Sequence, residues 1–290
     1  MRKRTILLYS RSRGGKTTLG AEFAEHVKLT LKKKSLVYTI DKGGIGPMIP
    51  HIELGVIDVV FQDDTDPWIF LNNATKGNVR DEKGKWVKAD LTQYGLVIFE
   101  SMTGFSDAFM NSLAEKAAQG VNIGGSANVS FSVQGDGEVL KIGGSNMAHY
   151  GIVQNRILDE VWRSQKLNVP FVMWTAGQSK DDDQNAGGKI IGPSLAGKAL
   201  TAEMLRNFDL TFRLDCFPAQ QGKSERHVLY LGNSVDMAAG NAVGLGNTRV
   251  PLGGPDLPAS IEPASLVKAM ALIEDAENKA KEVIKKRLGM

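Results

Sequence analysis

The chain has 290 residues, 42% of them hydrophobic and 23% charged, with a formal net charge of +3; this is the composition of an ordinary globular protein with room for a substantial core. So slight a positive charge does not require a nucleic-acid partner, although basic residues cluster in Arg2-Lys3-Arg4, Lys32-Lys33-Lys34 and Lys285-Lys286-Arg287, each read first as a solvated face. Cys216 is the only cysteine, which excludes an intrachain disulfide and a cysteine-rich metal site and fits a reducing cytoplasm. No apolar run reaches about 18 residues, so neither a membrane span nor a signal peptide is expected.

Thr5-Ile6-Leu7-Leu8-Tyr9 is a β-branched and apolar run suited to a buried strand. Leu19, Phe23, Val27 and Leu31 then recur at helical spacing. Between them lies Ser10-Arg11-Ser12-Arg13-Gly14-Gly15-Lys16-Thr17-Thr18. A strand, a glycine-containing loop ending in Gly-Lys-Thr and a helix form a phosphate-binding unit, in which backbone N–H groups converge on phosphate, the lysine reaches the β/γ-phosphates and the following hydroxyl binds Mg²⁺. Lys16 and Thr17 take these roles, and Ser10, Ser12, Arg13, Gly14, Gly15 and Thr18 complete the nucleotide-binding stretch. The first glycine of the usual pattern is replaced by Ser10, so the turn there is made with a side chain present. Arg11 and Arg13 either touch nucleotide or stay solvated, and solvation is the favoured reading.

Ser35 to Ile40 reads as a second strand ending at Asp41, with Lys42-Gly43-Gly44 beyond it, and Val56 to Phe61 as a third. Residues 76–90 are polar and read as a surface excursion. Leu96-Val97-Ile98-Phe99 is a buried central strand with Glu100 at its C-terminal tip, the end at which open α/β sheets place ligand chemistry. A carboxylate there holds Mg²⁺ or orients water during phosphoryl transfer; the alternative is a helix-capping or solvent-facing acid.

A helical pattern from Ser101 to Ala118 gives way to Gly120 to Ser145, where alternation on both sides of Gln134-Gly135-Asp136-Gly137 predicts a β-hairpin. Helix returns from Asn146 to Leu167, and Pro170 to Ala176 is a further buried strand ending in Gly177-Gln178. Gln178, at that tip, is positioned to sense a γ-phosphate. Ser179 to Gly197 reads as a long polar loop. Asp209 to Asp215 and His227 to Leu231 read as the last strands, residues 235–261 as a linker, and residues 262–290 as an amphipathic helix with Leu266, Met270 and Ile273 on its apolar face. The whole is an α/β architecture: a core over residues 1–234 with a hairpin inserted at about 120–145, then the linker and the helix.

Taken in order, Gly14-Gly15-Lys16-Thr17, Thr39-Ile40-Asp41, Val97-Ile98-Phe99-Glu100-Ser101, Trp174-Thr175-Ala176-Gly177-Gln178, Gly192-Pro193-Ser194-Leu195-Ala196-Gly197-Lys198-Ala199 and Phe208-Asp209 form a more specific series than any member alone. The series resembles the phage-encoded RecA-like nucleotide-binding proteins, which include single-strand-annealing recombination ATPases, over roughly residues 4–215. The resemblance implies a RecA-like core with a mostly parallel sheet flanked by helices. It implies ATP and Mg²⁺ bound between subunits of a ring or filament, and ssDNA held by loops. Lys16, Glu100 and Gln178 then match catalytic positions, Thr17 and Glu100 the metal site, and Lys198 a cation reaching a neighbouring subunit's nucleotide. The Ser179 to Gly197 segment matches a DNA-binding loop, with the 120–145 hairpin near another. Such enzymes usually carry a glutamate just after the second strand, where this chain has Lys42-Gly43-Gly44, a departure that bears on turnover more than on binding. Two rivals remain at this stage: a nucleotide-gated assembly protein with little hydrolysis, and a DNA-packaging or translocation motor.

Overall fold

The computed structural model describes residues 3–63, 66–118, 131–132, 141–142, 147–182, 189–195, 198–199, 205–219, 224–232, 234–236, 242–244, 246–248 and 257–289. Alternation in β1 (Arg4–Ser10) decides its surroundings. Ile6 and Leu8 enter one hydrophobic core, while Leu7 and Tyr9 enter another on the opposite face of the sheet. A strand buried on both faces is a central strand. β1 indeed pairs in parallel with β9 (Phe171–Ala176) on one side and with β13 (Leu210–Phe217) on the other.

The sheet continues in parallel from β9 to β6 (Tyr94–Glu100), β2 (Lys34–Thr39) and β3 (Ile57–Phe61). Past β13 it turns antiparallel through β14 (Arg226–Tyr230) and β18 (Ser260–Ile261). The fold is therefore mixed α/β, with a large, mostly parallel sheet between helices. On one face lie α1 (Lys16–Leu31) and the C-terminal helix Leu266–Leu288; on the other lie α3 (Pro67–Ala74), α4 (Met102–Ala118) and α5 (Met147–Ser164). The five-residue α2 (Ile49–Glu53) links β2 to β3.

An aromatic ladder ties three parallel strands together. Tyr38 of β2 stacks on Phe99 of β6 at 5.5 Å between ring centroids, and Phe99 stacks on Trp174 of β9 at 4.4 Å. These are cross-strand neighbours in the sheet register, and such pairs add about 0.5–1.5 kcal/mol each beyond burial. They fix the relative height of strands whose C-terminal tips carry Asp41, Glu100 and Gly177.

Several segments differ from their sequence expectation. The excursion at residues 76–90 contains a small hairpin of β4 (Asn78–Arg80) and β5 (Trp86–Lys88). The segment from Ser179 is not structureless: β10 (Gln178–Asp182) pairs antiparallel with β11 (Lys189–Leu195), and β12 (Lys198–Ala199) pairs with β11. Residues 235–261, read as a linker, contribute short strands as well. β15 (Ser234–Asp236) pairs with β16 (Ala242–Gly244), β16 with β11, β17 (Asn247–Thr248) with β13, and β18 with β14. Strands of two or three residues carry no readable periodicity; they form because an existing strand edge offers unpaired N–H and C=O groups. Within the 120–145 insertion, β7 (Phe131–Ser132) pairs antiparallel with β8 (Lys141–Ile142); residues 119–130, 133–140 and 143–146 lie outside the described residues, as do residues 183–188 of the expected DNA-binding loop.

Candidate nucleotide-binding site

The loop between β1 and α1 closes on itself before it meets any ligand. The Gly14 N–H donates to the Arg11 carbonyl at 3.1 Å, and the Leu19 N–H opens the helical ladder by donating to the Gly15 carbonyl at 3.0 Å. Two residues of the loop have left-handed backbones, Arg13 (φ 60°) and Gly15 (φ 92°), and Ser10 is not one of them. Ser10 is fully buried, and its hydroxyl donates to the Arg11 carbonyl at 2.8 Å. A Cβ on Gly14 would lie 2.5 Å from that same Ser10 oxygen, so the side chain that replaces the usual first glycine makes Gly14 obligatory on steric grounds. Ser12, Arg13, Gly14, Gly15, Lys16, Thr17 and Thr18 all line a cleft of about 700 Å³. The first N–H groups of α1 have no intrahelical partners and open onto this cleft together with the positive end of the helix.

Lys16 folds back over the loop. Its Nζ donates to the Ser10 hydroxyl at 3.2 Å, the Arg11 carbonyl at 3.3 Å and the Ser10 carbonyl at 3.5 Å. These long contacts to neutral acceptors are ones a phosphate oxygen would replace with shorter, charge-assisted bonds. Burial lowers the ammonium's affinity for its proton, and the Glu100 charge opposes that shift.

Glu100 closes the other side. Only 6% of it is exposed, and its Oε1 accepts from the Thr17 hydroxyl at 3.4 Å. Its Oε2 is buried with no aligned hydrogen bond. Burial raises the carboxyl above its usual range; the nearby Thr175 hydroxyl, the Lys16 charge and Thr17 act against this, and Asp41 adds to it. A hydroxyl and a carboxylate face to face, with one carboxylate oxygen still unsatisfied, are a hard-oxygen donor pair fitted to Mg²⁺, which binds one or two protein oxygens and keeps water or phosphate for the rest.

Several cleft residues carried no site role in the sequence. Asp41 lines the cleft at the tip of β2, with its Oδ1 accepting from the Gly43 N–H at 2.8 Å. Ser101, Thr103, Gly104 and Asp107 come from the start of α4. Thr103 is the most connected of them: its hydroxyl accepts from the Gly177 N–H at 2.8 Å and donates to the Ser194 carbonyl at 2.7 Å, and the Ser194 N–H donates to the Gly177 carbonyl at 2.8 Å. His227 of β14 flanks the loop from below, its Nδ1 lying 3.4 Å from where a Cβ on Gly15 would stand. The signal for Asp41 was its position at a strand tip; Thr103 and His227 had none, because their roles depend on contacts across the fold.

Gln178 stands one residue beyond the cleft-lining Gly177, as the first residue of β10, opposite Pro193. β9 lies between β1 and β6, so this tip sits between the β1–α1 loop and Glu100. Lys198 occupies β12, opposite Leu195; the placement of its side chain lies outside the described residues. Among the described residues no helix is long and apolar enough to cross a membrane.

No family model matches the sequence, and no curated protein does. Among solved structures the chain is similar to one titled "Crystal structure of the RadB recombinase", at 16% sequence identity and a TM-score of 0.43, with 79% of this chain and 80% of that one covered.

Proposed function

We propose that the chain is an ATPase of RecA-like type that binds ATP with Mg²⁺ at the β1–α1 loop. The observation that carries this reading is the loop itself: helix-terminal N–H groups, the Lys16 ammonium and the Thr17–Glu100 pair all border one cleft. Lys16 neutralises phosphate charge, the loop amides orient the phosphates, and Thr17 with Glu100 holds Mg²⁺, which when bound supplies charge neutralisation at the β- and γ-phosphates. The fold excludes bulk water from Glu100, so the carboxylate acts through a strengthened local field. Gln178 is the proposed γ-phosphate sensor and Lys198 the proposed contact to a neighbouring subunit's nucleotide.

The biological role we infer is ATP-dependent assembly on ssDNA that promotes annealing or recombination, in a ring or filament and in a cytoplasmic, phage-derived setting. It rests on the motif series of the sequence. A second reading, a nucleotide-gated assembly protein with little turnover, is favoured by one specific feature: beyond β2 the chain offers Asp41 and a Lys-Gly-Gly run, with no glutamate to activate water.

Steady-state hydrolysis of ATP with Mg²⁺, alone and with ssDNA or dsDNA, combined with light scattering, separates the readings. Stimulation and assembly on ssDNA is the expected outcome. Binding without turnover or DNA response supports the assembly protein, and strong stimulation by dsDNA a translocation motor. Lys16→Ala should weaken ATP binding on the order of 10- to 100-fold, the worth of a charge-assisted hydrogen bond or two; titration calorimetry that finds unchanged affinity would remove Lys16 from the site.

A further inference from the structure

On the side of β1 away from β9, β13 and β14 pair antiparallel with Cys216 opposite His227. Directly opposed residues project from the same face, and Glu225 lies immediately before β14. Its side chain joins theirs: the Cys216 thiol donates to Glu225 Oε1 at 2.6 Å, and His227 Nε2 lies 3.6 Å from the same oxygen. The three donor atoms fall within 4.8 Å of one another. Leu214 and Leu229, in line with Cys216 and His227 along the two strands, enter the core on the α1 side, so the cluster stands beside the start of α1. His227 spans the two places, with Nε2 toward Glu225 and Nδ1 toward Gly15.

We propose that Cys216, Glu225 and His227 form a binding site for a thiophilic divalent cation, with Zn²⁺ the best chemical fit, and that the bound ion fastens β14 against the flank of the phosphate loop. One thiolate, one imidazole and one carboxylate make three protein donors, the number Zn²⁺ takes when it keeps a fourth position for water. With metal–ligand bonds of about 2.0–2.3 Å, tetrahedral donors stand roughly 3.3–3.8 Å apart. The imidazole–carboxylate separation already has that value, and the thiol–carboxylate contact opens by about 1 Å as its proton leaves. Binding forms a metal–sulfur bond and releases the thiol proton to solvent, with no change of oxidation state. The sulfur and nitrogen donors distinguish this site from the all-oxygen Thr17–Glu100 pair, so Zn²⁺ and Mg²⁺ partition between the two. Carboxylate–thiol–imidazole spacing depends on the register of one strand pair, which explains why neither Cys216 nor His227 stands out in the sequence.

The test is titration of the full chain, stripped of metal with chelator and kept free of nucleotide, with Co²⁺. One equivalent should bind and produce a thiolate-to-cobalt charge-transfer band together with tetrahedral visible bands, and Zn²⁺ should bleach them. Cys216→Ser, which preserves side-chain size but supplies no thiolate, should abolish the charge-transfer band while leaving the far-ultraviolet circular dichroism unchanged. His227→Ala should weaken binding by at least about tenfold, since loss of even an outer partner of a metal ligand costs about 10- to 100-fold. Absence of the band at stoichiometric Co²⁺, or its survival in Cys216→Ser, overturns the assignment. Because the readout involves no ATP, its failure is distinguishable from failure of the nucleotide-site reading.

Discussion

Glu100 shows how one side chain couples burial to chemistry. The end of a strand that is apolar on both faces delivers its carboxylate into a site that is 6% exposed, and burial raises its pKa. A group of this kind keeps its proton in the folded chain at a pH where the unfolded chain, near 4.3 for an ordinary glutamate, has already lost it. Its contribution to stability is therefore fullest below the unfolded pKa and is lost as pH rises through the folded one. Glu100→Gln should melt at a higher temperature than the parent near neutral pH, with the gap closing as the pH is lowered toward about 4; calorimetric scans across that range check it. A variant less stable at every pH would mean that Lys16 and Thr17 hold the carboxylate more strongly than burial repels it. The residue was legible as a strand-tip acid. Its unsatisfied oxygen was not, because that depends on Thr17 and Thr175 arriving from other elements.

At the scale of elements, the β10–β11 hairpin is fastened to the cleft beside the β1–α1 loop through one hydroxyl. Thr103 at the start of α4 bonds both the tip of β9 at Gly177 and the far end of β11 at Ser194. Gly177 lines the cleft, so a change there has a direct route to the hairpin that bears the Ser179 to Gly197 segment. Thr103→Val keeps the shape and removes both bonds, leaving a part-buried N–H and a carbonyl unpaired at a cost of about 1–3 kcal/mol. Hydrogen exchange should then show faster opening across 178–195, and nucleotide-induced protection there should be lost; protection equal to that of the parent would assign the coupling to another contact. The sequence reading missed this arrangement because an antiparallel pair joined by a polar connection, with Gly192 and Pro193 inside one strand, shows none of the alternation that marks an ordinary hairpin.

For the molecule as a whole, the C-terminal helix is part of the core. Leu266, Ala269, Met270 and Ile273 pack into the α1 face of the sheet, and Ser265 caps the helix through the Lys268 N–H while its hydroxyl reaches Glu22 of α1 at 2.8 Å. Farther along, Glu277 meets Arg4 of β1 at 2.5 Å, with 11% and 5% of their side chains exposed. The pair joins the start of the first strand to the last helix, 273 residues away. Removing one partner of a buried ion pair leaves an uncompensated charge and costs about 3–5 kcal/mol, whereas replacing both with apolar residues of similar volume costs little. Glu277→Ala should therefore lower the urea midpoint markedly, and Arg4→Met combined with Glu277→Leu should recover most of the loss. Additive losses in the double variant would make the two residues energetically independent.

The order of the main strands and helices, the glycine-containing loop ending in Gly-Lys-Thr, the strand-tip acid and the amphipathic last helix are all legible in the sequence. Each is written in local periodicity or in spacing within about twenty residues. Which strands are neighbours is set by the packing of the whole chain, which puts β9 between β1 and β6, Thr103 between Gly177 and Ser194, and His227 beside Gly15. The physical reason is that hydrophobic periodicity says which face of an element is buried but not against what. Register across a sheet is settled by the packing of both faces together, and the polar contacts that complete a site follow from that register.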